Sequence, residues 1–151
     1  MSVTIDVNLK ELRCLDSSGD NWPERPTELE IRGGLGVSVG TTAFPPGNRE
    51  SHTLFRKADG AGIEISPYTG GGVHVLNLSK QLAVHPNEFV WIGGVLMEED
   101  AFSSDDHLGD HRPNISFNEF NNMSRGSTFQ KPVRFSDNGQ VVEAVYEFRR
   151  V

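Results

Sequence analysis

Apolar and polar residues alternate with a period of two along most of the chain. Val3, Ile5, Val7 and Leu9 share one parity and Leu12 and Cys14 the other, so the spacing predicts a first strand with a bulge near Lys10 and Glu11. A polar loop, residues 16–26, follows. Residues 27–32 alternate again with Leu29 and Ile31 inward, and Gly33-Gly34 interrupt them before a short continuation over residues 35–39. Residues 41–50, with Pro45, Pro46 and Gly47, read as a loop. Residues 52–57 and 62–66 read as short strands around an Asp59-Gly60 turn, and Val73, Val75, Leu76 and Leu78 mark another after a turn at residues 67–72. Residues 88–97 are nearly all apolar, which predicts a central strand with Trp91 in the core. Its Gly93-Gly94 pair marks a bulge or a close backbone approach.

The acidic stretch 100–110 reads as loop, Ile115 and Phe117 as strand, and residues 118–125 as a segment with room for a helical turn. Residues 128–135 and 141–148 form a terminal hairpin through Asp137-Asn138-Gly139, with Val142, Ala144, Tyr146 and Phe148 on one face. Roughly eight short strands and no long amphipathic helix predict an all-β fold, a sandwich or a barrel, spanning residues 1–151 as one domain.

Composition agrees with many turns, since the 151 residues include 16 Gly and 8 Pro. The net charge of −7 argues against a nucleic-acid partner, because no basic stripe is present to neutralise phosphates. Cys14 is the only cysteine, so no internal disulfide fixes the redox compartment, and its place in the alternation predicts a buried thiol. No run approaches the ~18 apolar residues of a membrane helix. Residues 1–10 alternate and do not read as a signal peptide.

Chemistry concentrates after the apolar strand. Glu98, Glu99, Asp100, Asp105 and Asp106 place five carboxylates within nine residues. Like charges at that density repel, and either solvent or a cation offsets the repulsion. Calcium takes six to eight hard oxygen ligands, and Glu98, Asp100 and Asp106, with Gly109 to turn the backbone, have suitable spacing. A second acidic group, Asp16 and Asp20, ends the first strand, and Glu28 opens the next. The expected metal site is Asp16, Asp20, Glu28, Glu98, Asp100, Asp105 and Asp106, with calcium as the cofactor. The EF-hand spacing is absent.

The pattern of Glu98, Asp100, Asp106, Leu108 and Gly109 resembles the third calcium-binding loop of C2-type domains. Leu12, Leu15, Asp16, Gly19 and Asp20 are similar to the first loop of that family, with Glu28 near its strand-opening acid. Glu98 stands where the family has Asp, residues 21–26 lengthen the first loop, the Asp-Pro-Tyr signature is missing, and no polybasic strand is evident. The resemblance implies a C2-like sandwich whose ion-ordered loops bind a membrane surface or a protein partner. Trp22 in the first loop is the candidate loop-tip contact. Other readings are a structural or assembly module of a larger secreted or toxin-like complex, and a carbohydrate-binding sandwich. If calcium is bound, an extracellular setting is favoured.

His107 and His111 have a spacing that suits zinc on a helix, but their segment reads as an exposed loop. Gly70-Gly71-Gly72 lacks the phosphate-loop pattern and reads as a turn. No nucleophile or acid–base pair stands apart from the acidic cluster, so a binding module is expected rather than an enzyme.

Overall fold

A computed structural model describes residues 1–18, 28–68, 70–99 and 106–151. Its elements follow the alternation. Strand β1 (Val3–Asp16) buries Val3, Ile5, Val7, Leu9, Leu12 and Cys14, and its register slips between Leu9 and Glu11, which is the parity change seen in the sequence. It pairs with β10 (Gln140–Arg150) on one side and β5 (Val73–Val84) on the other. Strand β9 (Thr128–Asp137) completes the order β5-β1-β10-β9. Pro132, which has no N–H to give a ladder, sits on that edge strand.

The second sheet has the order β3 (Asn48–Lys57), β2 (Leu29–Gly40), β6 (Phe89–Glu98), β7 (Asp106–His111). Two three-residue strands extend it: β4 (Ile63–Ile65) pairs with β2, and β8 (Asn114–Ser116) pairs with β6. Every pairing in both sheets is antiparallel. Inward residues of the two sheets meet in one apolar cluster, with Ile31, Leu35, Ile92 and Leu96 facing Leu12, Phe135, Ala144 and Phe148. The expected all-β sandwich is the observed fold.

Two ends can be told apart. At one, helix α1 (Phe117–Asn121) starts with a capping box in which Ser116 Oγ accepts from Glu119 N and Ser116 N donates to Glu119 Oε2. Its Phe120 packs on Phe129 and Phe148. At the other lie the C-termini of β1 and β6 and the starts of β7 and β10. There β9 and β10 join through Asn138 (φ 36°) and Gly139 (φ 80°), a two-residue hairpin that accepts positive φ at both positions.

Several expectations need correction. Residues 106–110 are strand rather than loop, because Glu98 and Met97 continue β6 and give Asp106 and His107 a ladder to join. His107 and His111 therefore lie on β7, exposed to solvent. Strand β5 runs to Val84, past the exposed Ser79, Lys80 and Gln81 that hide its alternation, and Leu82 and Val84 return to the core. Strand β3 begins at Asn48, inside the predicted loop. Trp91 is half-buried on the outer face of β6, since the even-numbered side chains Val90, Ile92, Leu96 and Glu98 point inward. Both glycines of the Gly93-Gly94 pair stand at close backbone approaches: a β-carbon would strike the His111 carbonyl from Gly93 and the Gly34 carbonyl from Gly94.

Candidate functional site

Strand pairing brings the two acidic segments to one pole. Glu98, the last residue of β6, lies directly across from Asp106, the first residue of β7. Glu98 shares the inward parity of Leu96 and is only 1% exposed; Asp106 is half-buried. Like charges directly opposite on neighbouring strands repel.

The other sheet closes over this pair. Gln140 opens β10 on the inward parity of Val142, Ala144, Tyr146 and Phe148, and its Nε2 donates to Asp106 Oδ2 at 3.1 Å. Its neighbour Val141 pairs with Asp16 at the end of β1. One continuous path thus links Asp16, Val141, Gln140, Asp106 and Glu98. The Asp16 carboxylate accepts a 2.8 Å hydrogen bond from Ser18 N, which lowers its pKa and keeps it ionised.

Glu28 lies just before β2, at the same end. It lines a cleft of about 190 Å³ with Glu64, Ser66, Gly72 and His74. Glu99, a member of the acidic run, is committed elsewhere: its carboxylate accepts from Gly60 N at 2.6 Å and Gly62 N at 3.3 Å and holds the turn after β3. Asp20, Trp22, Asp100 and Asp105 lie outside the described residues. Among the described residues, no three His, Cys, Asp or Glu side chains converge at metal-binding distance. What converges is two carboxylates and one buried amide whose Oε1 has no hydrogen-bond partner among the described residues. Donors of this kind are hard oxygens, the type calcium takes and a thiophilic metal does not.

Gln140 escaped the sequence reading. Its signal was legible, since it is a buried polar residue at the start of a parity that continues as Val142, Ala144, Tyr146 and Phe148.

A second feature lies on the outer face of the six-stranded sheet. A groove of about 720 Å³ runs along β2 and carries Arg32, Arg56 and Lys57 at the acidic pole and Trp91, Arg112 and Phe44 towards the other end. Arg32 lies 3.6 Å from Asp59, and the Arg112 guanidinium stacks 4.7 Å above the Phe44 ring. Among the described strands none is polybasic; the sheet gathers the groove's basic side chains from separate segments.

No family model matches the chain, and no curated protein does. Solved structures match at low identity. Human GIVD cytosolic phospholipase A2 superposes with a TM-score of 0.50 at 14% identity, over 99% of this chain and 15% of that one. The calcium-bound structure of the two C2 domains of Extended-Synaptotagmin 2 superposes with a TM-score of 0.51 at 11% identity, over 98% of this chain and 45% of that one. The chain therefore spans less than half the length of either protein, and at these identities the likeness is one of fold. With two antiparallel sheets in this order, and a match to a pair of C2 domains over almost its whole length, the chain has a C2-like β-sandwich fold.

Proposed function

We propose that this chain is a single C2-like binding module that takes up calcium at the pole of Glu98 and Asp106 and, in that state, binds an anionic membrane surface. The observation that carries the reading is the direct register of Glu98 and Asp106, with Asp16 reached through Val141 and Gln140 from the other sheet. Two opposed carboxylates, one of them buried, repel, and a divalent cation offsets that repulsion. Asp16, Asp20, Glu28, Asp100 and Asp105 are the further proposed oxygen donors. The cation contribution here is electrostatic: it favours a single arrangement of the loops that carry these acids.

The membrane part of the reading rests on charge. The chain is net acidic at −7, which repels an anionic bilayer. Neutralising the acidic pole raises the weight of the adjoining Arg56 and Lys57, while Arg32 stays paired with Asp59. Trp22 is the proposed loop-tip contact with the headgroup region.

Calorimetric titration of the chelator-treated protein with calcium tests the first step, and heat with saturable stoichiometry is expected. Co-sedimentation with phosphatidylserine vesicles, with calcium or with chelator, tests the second. A silent titration at millimolar calcium rejects the calcium reading; vesicle binding that ignores calcium rejects the coupling.

A further inference from the structure

We infer that Gln140 is a ligand of the cation site, supplying a neutral oxygen from the sheet opposite Glu98 and Asp106; this rests on the calcium reading above. Gln140 is 1% exposed and sits at the entrance of β10, on the inward parity of Val142, Ala144, Tyr146 and Phe148. Its amide is half used. Nε2 donates to Asp106 Oδ2 at 3.1 Å, while Oε1 is buried with no hydrogen-bond partner among the described residues. Buried polar atoms are nearly always satisfied, so an orphaned carbonyl oxygen in this position marks a missing partner. Both amide atoms share one carbon, which places Oε1 beside the Asp106 contact and at the pole where the carboxylates oppose each other.

The chemistry favours a cation as that partner. An amide carbonyl is a hard neutral donor of the kind calcium accepts alongside carboxylates. It raises the coordination number without adding a further negative charge beside Glu98 and Asp106. The N–H of the same amide holds Asp106 in place before the ion arrives, as the outer contacts of metal ligands do. A ligand from β10 also ties ion binding to both sheets rather than to the loops of one.

Calcium titrations of the wild-type protein, Gln140→Met and Gln140→Glu test this, with the calcium-induced rise in Tm as a second readout. Gln140→Met keeps the shape and removes both amide contacts; calcium affinity is expected to fall roughly 10- to 100-fold, with a smaller Tm rise. Gln140→Glu keeps a hard oxygen and adds charge; it is expected to bind calcium more tightly than wild type while its calcium-free form melts lower. If Gln140→Met fails to fold, Gln140→Glu decides alone, and unchanged affinity there overturns the assignment. Wild-type binding that Gln140→Met reproduces overturns it too, since a purely structural glutamine would lower Tm without touching affinity. A silent wild-type titration overturns the calcium reading and this assignment together.

Discussion

The Tyr146 hydroxyl donates a 2.9 Å hydrogen bond to the Gly36 carbonyl, reaching from one sheet through the core to the backbone beneath the basic groove. The same oxygen accepts from Gly93 N at 3.1 Å, so one fully buried side chain pins β10 to both β2 and β6. Tyr146→Phe keeps the ring and deletes the hydroxyl, leaving the buried Gly93 N–H and the part-buried Gly36 carbonyl each short of one partner. It is expected to cost about 1–3 kcal/mol of stability. Urea unfolding measures this, and an unchanged midpoint would show that the two glycines find other partners.

Two buried groups hold their protons beyond their usual range, and the direction sets a pH dependence. Burial pushes the Cys14 thiol up from 9.0 to about 11 and raises the Tyr146 phenol as well. In the unfolded chain the thiol ionises near 9.0; in the folded chain it stays protonated until about 11. Below pH 9 this group leaves stability unchanged. Between pH 9 and 11 the unfolded state releases a proton that the folded state keeps, so stability falls as pH rises. The thiol accounts for a loss of about 3 kcal/mol at most. Unfolding free energies at pH 8 and pH 10.5 should therefore converge in Cys14→Ala relative to wild type. An equal alkaline slope in both would remove Cys14 as its source.

Much of this architecture is written in the alternation, and where it is not, the reason is local. The bulge near Lys10 and Glu11 was visible because a slipped register moves apolar residues to the other parity. The end of β5 was hidden because an edge strand needs only one covered face, and Ser79, Lys80 and Gln81 fill the exposed positions. Trp91 was misplaced because an apolar run does not say which of its faces meets the core. The candidate site divides the same way. Glu98 and Asp106 are conspicuous as charges, whereas their register depends on β7, whose pairing no periodicity announces. Gln140 is distant in the chain and reaches them only because the hairpin delivers β10 to the same pole.

Neighbouring glycines of β2 should respond differently to one added methyl group. A β-carbon at Gly36 would collide with the His52 carbonyl across the β3 ladder, so the backbone there would have to shift. At Gly34 the nearest atom is the Phe55 carbonyl oxygen at 3.8 Å, an ordinary contact. Gly36→Ala is expected to destabilise by about 1–3 kcal/mol. Gly34→Ala should stay within about 0.5 kcal/mol of wild type. Thermal melts of the pair check this, and equal losses at both positions would contradict the packing described for β2 and β3.

The proposed membrane role makes a quantitative demand on the basic groove. Arg56 and Lys57 line it at the end of β3, next to the acidic pole, and Arg56 is open to solvent. Each basic residue near an anionic bilayer contributes about 1 kcal/mol, so removing both with Arg56→Ala and Lys57→Ala should weaken binding to phosphatidylserine vesicles about 30-fold in calcium. The effect is electrostatic, so it must shrink as salt is raised and the Debye length shortens. Vesicles of phosphatidylcholine alone should bind wild type and the double variant equally weakly. If the variant keeps wild-type affinity for phosphatidylserine at low salt, the groove is not the membrane-facing surface, and any bilayer contact would have to come from elsewhere on the chain.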